Sequence, residues 1–120
     1  MANSITKMAR TSFRFEDMVK NVFGLNALDI ETYKILLVKG PLTTEKVGEI
    51  VKKEKSTVYR SLQSLMACGI TYRKKKSIEI GGYYYEYIPV EPQEVKKLMK
   101  KNIDEWYYQM NELIKINEPY

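Results

Sequence analysis

The 120-residue chain contains no histidine and a single cysteine, Cys68. Together these shortages remove the usual Cys/His zinc sites, the Ser/His and Cys/His nucleophile pairs, and the commonest general base near neutral pH. No metal and no other cofactor is implied. A lone cysteine also excludes an internal disulfide and makes the reducing cytoplasm the expected compartment. Long apolar runs are missing as well. The run Ile35 to Val38 stops at four residues, against the ~18 needed to span a bilayer. The opening MANSITKMAR lacks the apolar core of a secretion signal, so no membrane partner is expected. Enzymatic chemistry would have to rest on carboxylates, lysine or tyrosine, and the expectation is that the protein is not an enzyme.

What is present is an uneven field of charge. The chain is 44% hydrophobic and 29% charged with a net charge of +5, a globular composition of one domain with room for an added arm or helix. Between Lys39 and Lys76 ten Lys/Arg face three acids, a net of +7, while the remainder carries ten basic and twelve acidic residues, a net of −2. Lysines that merely solubilise would be spread evenly. A basic middle inside a near-neutral frame is the footprint of a nucleic-acid-binding face.

The periodicity divides the chain into elements. Residues 1–11 show none and are expected to form a flexible arm. From Ser12 the pattern is helical, with Phe15, Met18, Val19, Val22 and Phe23 on one face and Gly24 as the stop. Asn26 is a good N-cap for a second helix over Ala27 to Lys39, helped by Asp29 and presenting Leu28, Tyr33, Leu36 and Leu37 as its apolar side; Gly40-Pro41 ends it. Thr43 or Thr44 caps a short third helix carrying Val47, Ile50 and Val51. After the basic turn KKEK, Ser56 is expected to cap a fourth helix that reaches about Cys68, with Val58, Leu62, Leu65 and Met66 facing inward and Gly69 closing it. Two helices of about ten residues around a tight turn make a helix-turn-helix.

From Ile70 the period becomes two. TYRKKKSIEI and YYYEYIPV flank Gly81-Gly82, a hairpin signal. A two-residue turn there sets Ile80 opposite Tyr83 and Ile78 opposite Tyr85; a shorter ladder with a looser tip over Lys75 to Gly82 is the other option. A last helix starts near Glu91-Pro92 and runs to about Asn117. Met99, Ile103, Trp106, Met110, Leu113 and Asn117 follow one another at spacings of 4, 3, 4, 3 and 4, a heptad seam. At ~1.5 Å per residue such a helix is roughly 39 Å long, too long for the rest of the chain to cover. Half of it should project and meet a partner. The expected fold is thus mainly α with a β-hairpin (α+β), a winged helix-turn-helix over residues 12–90 with a dimerisation helix over residues 91–120.

The stretch GLNALDIETYKILLVKGPLTTEKVGEIVKKEKSTVYRSLQSLMACGI resembles the DNA-binding module of archaeal TrmB-type regulators, a group with MarR-like helix-turn-helix relatives. The shared positions are Gly24-Leu25, Tyr33, Gly40-Pro41-Leu42-Thr43, Ser56, Val58-Tyr59, Leu62, Leu65 and Gly69-Ile70, without a gap. The family usually has a glycine and an apolar residue between the paired helices; here Lys52 and Lys53 make that turn more basic. The full-length regulators continue into a sugar-binding domain, and this sequence is similar to the short members that lack it. The resemblance implies a transcriptional regulator or chromatin-like DNA binder without a sugar ligand.

Residue types then suggest roles. On the helix after KKEK, the decamer STVYRSLQSL holds no acid, although a merely solvated face would favour Glu and Lys. Arg60 and Gln63 are of the kinds that read guanine and adenine, and Ser56, Thr57, Tyr59 and Ser64 suit phosphates or base edges. Lys52, Lys53 and Lys55 are expected to clamp phosphates at the helix N-terminus, with Thr43 and Thr44 as further backbone contacts beside their capping role. Arg73, Lys74, Lys75 and Lys76 would be the wing's electrostatic contact. Met99, Ile103, Trp106, Met110 and Leu113 form the expected dimer interface. The leading expectation is therefore a homodimeric, sequence-preferring binder of double-stranded DNA, cytoplasmic and nucleoid-associated, with no small-molecule effector evident. The alternatives are an abundant architectural DNA binder, a protein–protein adaptor, or a DNA-breaking enzyme using Tyr59 as nucleophile. For the last, the supporting cationic groups are too few.

Overall fold

A computed structural model describes residues 14–119; the arm expected over residues 1–11 and the helix start at Ser12 lie outside the described residues. Among the described residues, five helices and one hairpin follow in the order α1 (Phe15–Phe23), α2 (Ala27–Lys39), α3 (Thr44–Val51), α4 (Lys55–Ala67), β1 (Thr71–Ser77), β2 (Tyr83–Pro89) and α5 (Pro92–Ile116). This is the winged helix-turn-helix order with a long terminal helix.

Local chemistry sets most of the boundaries. Asn26 and Asp29 cap α2 reciprocally: the Asp29 N–H donates to the Asn26 side-chain oxygen at 2.8 Å and the Asn26 N–H to the Asp29 carboxylate at 3.0 Å. Thr43, not Thr44, caps α3, its hydroxyl oxygen accepting from the Lys46 N–H at 3.2 Å. One expected cap is different. Helix α4 begins at Lys55 with Glu54 as the flanking residue, so Ser56 stands inside the first turn. The turn from α3 arrives far enough round that Glu54 already accepts the first helical bonds, from the Thr57 and Val58 N–H groups.

The core falls into two clusters joined by α2 and α4. Val19, Ile30, Tyr33, Leu65, Ile70, Val95 and Met99 are prominent in one, and Leu36, Val47, Val58, Leu62 and Tyr87 make the other. Because α2 is buried on two sides, its inward residues are Ile30, Tyr33 and Leu36; Leu28 is only half-buried and Leu37 is exposed, contrary to the single stripe expected. Ile50 of α3 is likewise exposed, leaving Val47 as that helix's buried anchor.

The strands pair antiparallel from Thr71↔Pro89 to Ser77↔Tyr83. The outcome lies between the two options: the tip is looser than a two-residue turn, but pairing continues past Lys75 to Ser77, so the ladder is longer than the one with a tip over Lys75 to Gly82. Lys75, not Ile78, faces Tyr85, and Ile80 faces no strand residue. Gly81 and Gly82 both have positive φ, 105° and 90°, and serve a five-residue tip rather than a two-residue turn. Tip bonds run from the Gly81 N–H to the Ile78 carbonyl and from the Ile78 N–H to the Gly82 carbonyl. At the wing's base, Leu42 and Tyr87 exchange two backbone hydrogen bonds, which ties the segment before α3 to β2.

Helix α5 is the last element of the core and also its projection. Val95 and Met99 are buried, Met99 at 3% exposure. Met99 therefore fills the fold itself rather than a seam between copies. The correction has a simple cause: the first two turns of α5 lie across α1, and the apolar stripe is consumed there before it emerges. Beyond it Ile103, Trp106 and Leu113 are exposed, Trp106 at 59%. The molecule is 63 Å along its longest axis and 33 Å across. Among the described residues, no helix is long and apolar enough to cross a membrane.

Candidate nucleic-acid interface

The turn between α3 and α4 is built on Gly48. Its carbonyl accepts from the N–H groups of Lys52 and Lys53, and a Cβ at Gly48 would stand 3.1 Å from the Lys53 carbonyl oxygen. Lys52 has φ 58° and ψ 47°, the left-handed conformation that a glycine would adopt at less cost. A lysine thus stands in a backbone conformation that favours glycine and adds a charge to the turn. Lys52, Lys53 and Lys55 are all exposed.

On α4, Val58, Ser61, Leu62 and Leu65 are buried. Ser56, Tyr59, Arg60 and Ser64 are exposed, and Thr57 and Gln63 are half-buried. No acid occupies the first turn of this helix, so its free N–H groups present positive potential to solvent beside the lysines. Thr43 and Thr44 are half-buried at the start of α3. Lys55 and Glu45 approach to 3.4 Å and Lys46 and Glu49 to 3.7 Å; all four side chains are largely exposed, so these pairs are weak and exchangeable.

The hairpin separates its four cations by alternation. Odd-numbered positions of β1 and β2 share the face that holds buried Thr71 and Tyr87. On that face the Arg73 guanidinium carbon lies 4.0 Å from the centre of the Tyr85 ring and the Lys75 ammonium 4.1 Å from that of Tyr83. Tyr83 and Tyr85 meet edge-to-face at 5.6 Å. The Tyr87 hydroxyl beside Arg73, together with the Tyr85 ring and the Tyr59 hydroxyl of α4, strengthens the guanidinium's hold on its proton. Lys74 and Lys76 project from the opposite face, where Lys76 pairs with Glu86 at 3.7 Å. A cleft of about 350 Å³ separates α3 and α4 from the wing, lined among others by Thr44, Lys55, Tyr59, Arg73 and Tyr85. Residue patterns alone missed Tyr83 and Tyr85 as supports for these cations. Their signal was the alternation of cations in one strand against tyrosines in the next, which becomes readable only once the register is known.

On the projecting half of α5, Tyr107 and Ile114 are exposed beside the expected Ile103, Trp106 and Leu113, with Met110 half-buried. They widen the stripe from two to three apolar positions per heptad. Around it Lys100–Asp104 and Lys115–Glu112 pair at 3.3 and 3.1 Å, leaving this half of the helix close to neutral. Among the described residues no cluster of three or more metal-binding side chains is found.

Comparison with known proteins gives a consistent picture. The family model described as "Sugar-specific transcriptional regulator TrmB" matches residues 19–93, from α1 through the wing to the first turn of α5. An uncharacterised protein of Methanocaldococcus jannaschii is 33% identical over 114 residues, which is 95% of this chain and 86% of that protein. A structure described as a possible transcriptional regulator from Methanosarcina mazei superposes with a TM-score of 0.70 at 24% identity, covering 83% of this chain and 85% of the other. A second, from the thermoacidophilic archaeon Sulfolobus tokodaii, gives 0.62 at 20% identity, covering 78% and 92%.

Proposed function

The chain belongs to the TrmB family of transcriptional regulators, and from that premise we propose that it regulates transcription by binding double-stranded DNA as a homodimer. Helix α4 enters the major groove, whose width admits an α-helix. Arg60 and Gln63 read base edges. Lys52, Lys53, Lys55, Ser56, Thr57, Tyr59 and Ser64 hold the flanking phosphates, with Thr43 and Thr44 at the edge of the footprint. The wing lies along the adjacent backbone, presenting Arg73 and Lys75, while Lys74 and Lys76 add to the field from the far side. Ile103, Trp106, Met110 and Leu113 join two copies through α5 and set two α4 helices on one duplex. No enzymatic step and no effector enter this reading, and it places the protein at the nucleoid in the cytoplasm.

The single observation that carries it is the exposed, acid-free face of α4, continuous with the basic turn before it and with the inner face of the wing. Gel-shift titrations across a salt series test it. Each phosphate neutralised adds about 0.9 to the slope of log K against log salt, so a binder with this footprint loses affinity steeply as salt rises. Absence of binding at low salt would sink the proposal. Arg60→Ala is expected to cost about 1–3 kcal/mol on the preferred site and to relax discrimination there, whereas Lys53→Ala weakens all sequences alike. Genome-wide occupancy in sharp peaks is the expected pattern for a regulator; uniform coverage would instead mark an architectural protein.

A further inference from the structure

We infer that the cleft between α4 and the wing is a seat for one DNA backbone phosphate, in which Arg73 and Lys55 supply the charge and the Tyr85 and Tyr83 rings position the wing's cations. The inference rests on the DNA-binding reading and names the atoms that fix the duplex in register. A phosphate needs a fork of donors at a defined angle, and a free arginine on a hairpin loses rotamer freedom to provide one. Here that freedom is already restricted. The Arg73 guanidinium is 4.0 Å from the Tyr85 ring centre, Lys75 is 4.1 Å from that of Tyr83, and the two rings brace each other edge-to-face. Tyr85 itself is half-buried against the cluster of Leu36, Val58 and Leu62, so the platform is anchored in the core.

From the opposite wall α4 contributes the Lys55 ammonium and the Tyr59 hydroxyl, and α3 contributes Thr44. Two cations from different elements and two hydroxyls line a space of about 350 Å³ that is open to solvent, roomy enough for a tetrahedral oxyanion and its flanking sugar. The acid at the rim is Glu45, 3.4 Å from the Lys55 ammonium. Its exposed carboxylate holds Lys55 in the free protein and gives way when a phosphate takes its place.

Alternation within one strand provides the test. Salt-dependent affinity for a fixed duplex is measured for the full chain and for Arg73→Ala, Lys75→Ala and Lys74→Ala. Arg73→Ala is expected to make the log K against log salt slope shallower by about one phosphate's worth, with a smaller change for Lys75→Ala and the smallest, through the general field alone, for Lys74→Ala. Tyr85→Leu keeps every charge. It is expected to lower affinity about two- to fivefold, the size of an exposed cation–π contact, at unchanged slope, with Tyr85→Phe restoring it; Glu45→Gln should tighten binding. Equal slopes for Arg73→Ala and Lys74→Ala in a protein that still binds DNA would overturn the seat while leaving the broader function standing. Saturable uptake of inorganic phosphate by the free protein, abolished by Arg73→Ala while DNA binding is unchanged, would assign the cleft to a free anion and equally overturn it. Loss of DNA binding by the unaltered chain would instead remove the premise. Should Tyr85→Leu fail to fold, the three strand substitutions, all at exposed positions, decide the matter alone.

Discussion

At the scale of single residues, Lys52 shows a conflict between backbone and charge. Its left-handed φ of 58° costs an L-residue about 1–2 kcal/mol, and glycine would relieve it while adding about 0.5–1 kcal/mol of unfolded-chain entropy. Lys52→Gly is therefore expected to leave stability unchanged or raise it by up to about 1 kcal/mol, and to weaken DNA binding by one phosphate contact. Lys52→Ala should weaken binding equally without the gain in stability. Urea denaturation beside a gel shift separates the two effects. Tyr33 gives a test in pH. Its hydroxyl donates to the Val90 carbonyl at 2.7 Å, and burial, assisted by the nearby Glu91 charge, pushes its pKa from 10.0 up to about 12. Between those values the folded state keeps a proton that the unfolded chain has released. Stability from this group is thus full below pH 10 and is lost as pH rises through about 12. Midpoints of denaturation taken across that range should fall more steeply for the native chain than for Tyr33→Phe.

At the scale of elements, α5 carries the sharpest consequence. Three exposed apolar positions per heptad are wider than the two of a simple coiled-coil seam, which suits a partner surface broader than one helix. Trp106→Asp places a charge in the middle of that stripe and is expected to yield a monomer in sedimentation, with the fold's circular dichroism retained because Trp106 is largely exposed and belongs to neither core cluster. The elements also show what a sequence can and cannot reveal. Helix ends were legible because they are local: Asn26, Thr43, Gly24, Gly40 and Gly69 act on their own few residues. The start of α4 was not, because the path of the turn decides which residue first accepts a helical bond, and Ser56 is as good a capping residue by type as it is misplaced by geometry. The wing's register escaped for a related reason. Two adjacent glycines suit a tight turn, but the pairing of Leu42 with Tyr87 fixes β2 from outside the hairpin and leaves five residues for the tip. Met99 looked like a seam residue because periodicity is blind to which helix covers which half of a stripe. The candidate interface was legible as a list of charges but not as a surface, since only the register separates Arg73 and Lys75 from Lys74 and Lys76.

At the scale of the whole molecule, charge and hydrophobicity are sorted to different elements. The basic face lies around α3, α4 and the wing, and, among the described residues, an exposed apolar stripe lies along the far half of α5. Joining two copies along that stripe, as proposed, would make the two basic faces act as one bivalent ligand, so the Trp106→Asp monomer is expected to bind duplex DNA at least tenfold more weakly with every basic residue intact; a titration in the dilute range would read it directly. The division of the interior into two clusters has a further effect, on motion. The cluster beneath the proposed DNA-facing surface is the smaller, and α3 gives it one fully buried side chain, Val47, while α1 and the root of α5 belong to the larger. Local opening follows the poorer packing. Amide protons of α3 and the wing should therefore exchange with solvent together and ahead of those in α1 and the first turns of α5. A bound duplex would slow just that set, so the half of the molecule proposed to meet DNA is also the half that can breathe before it does.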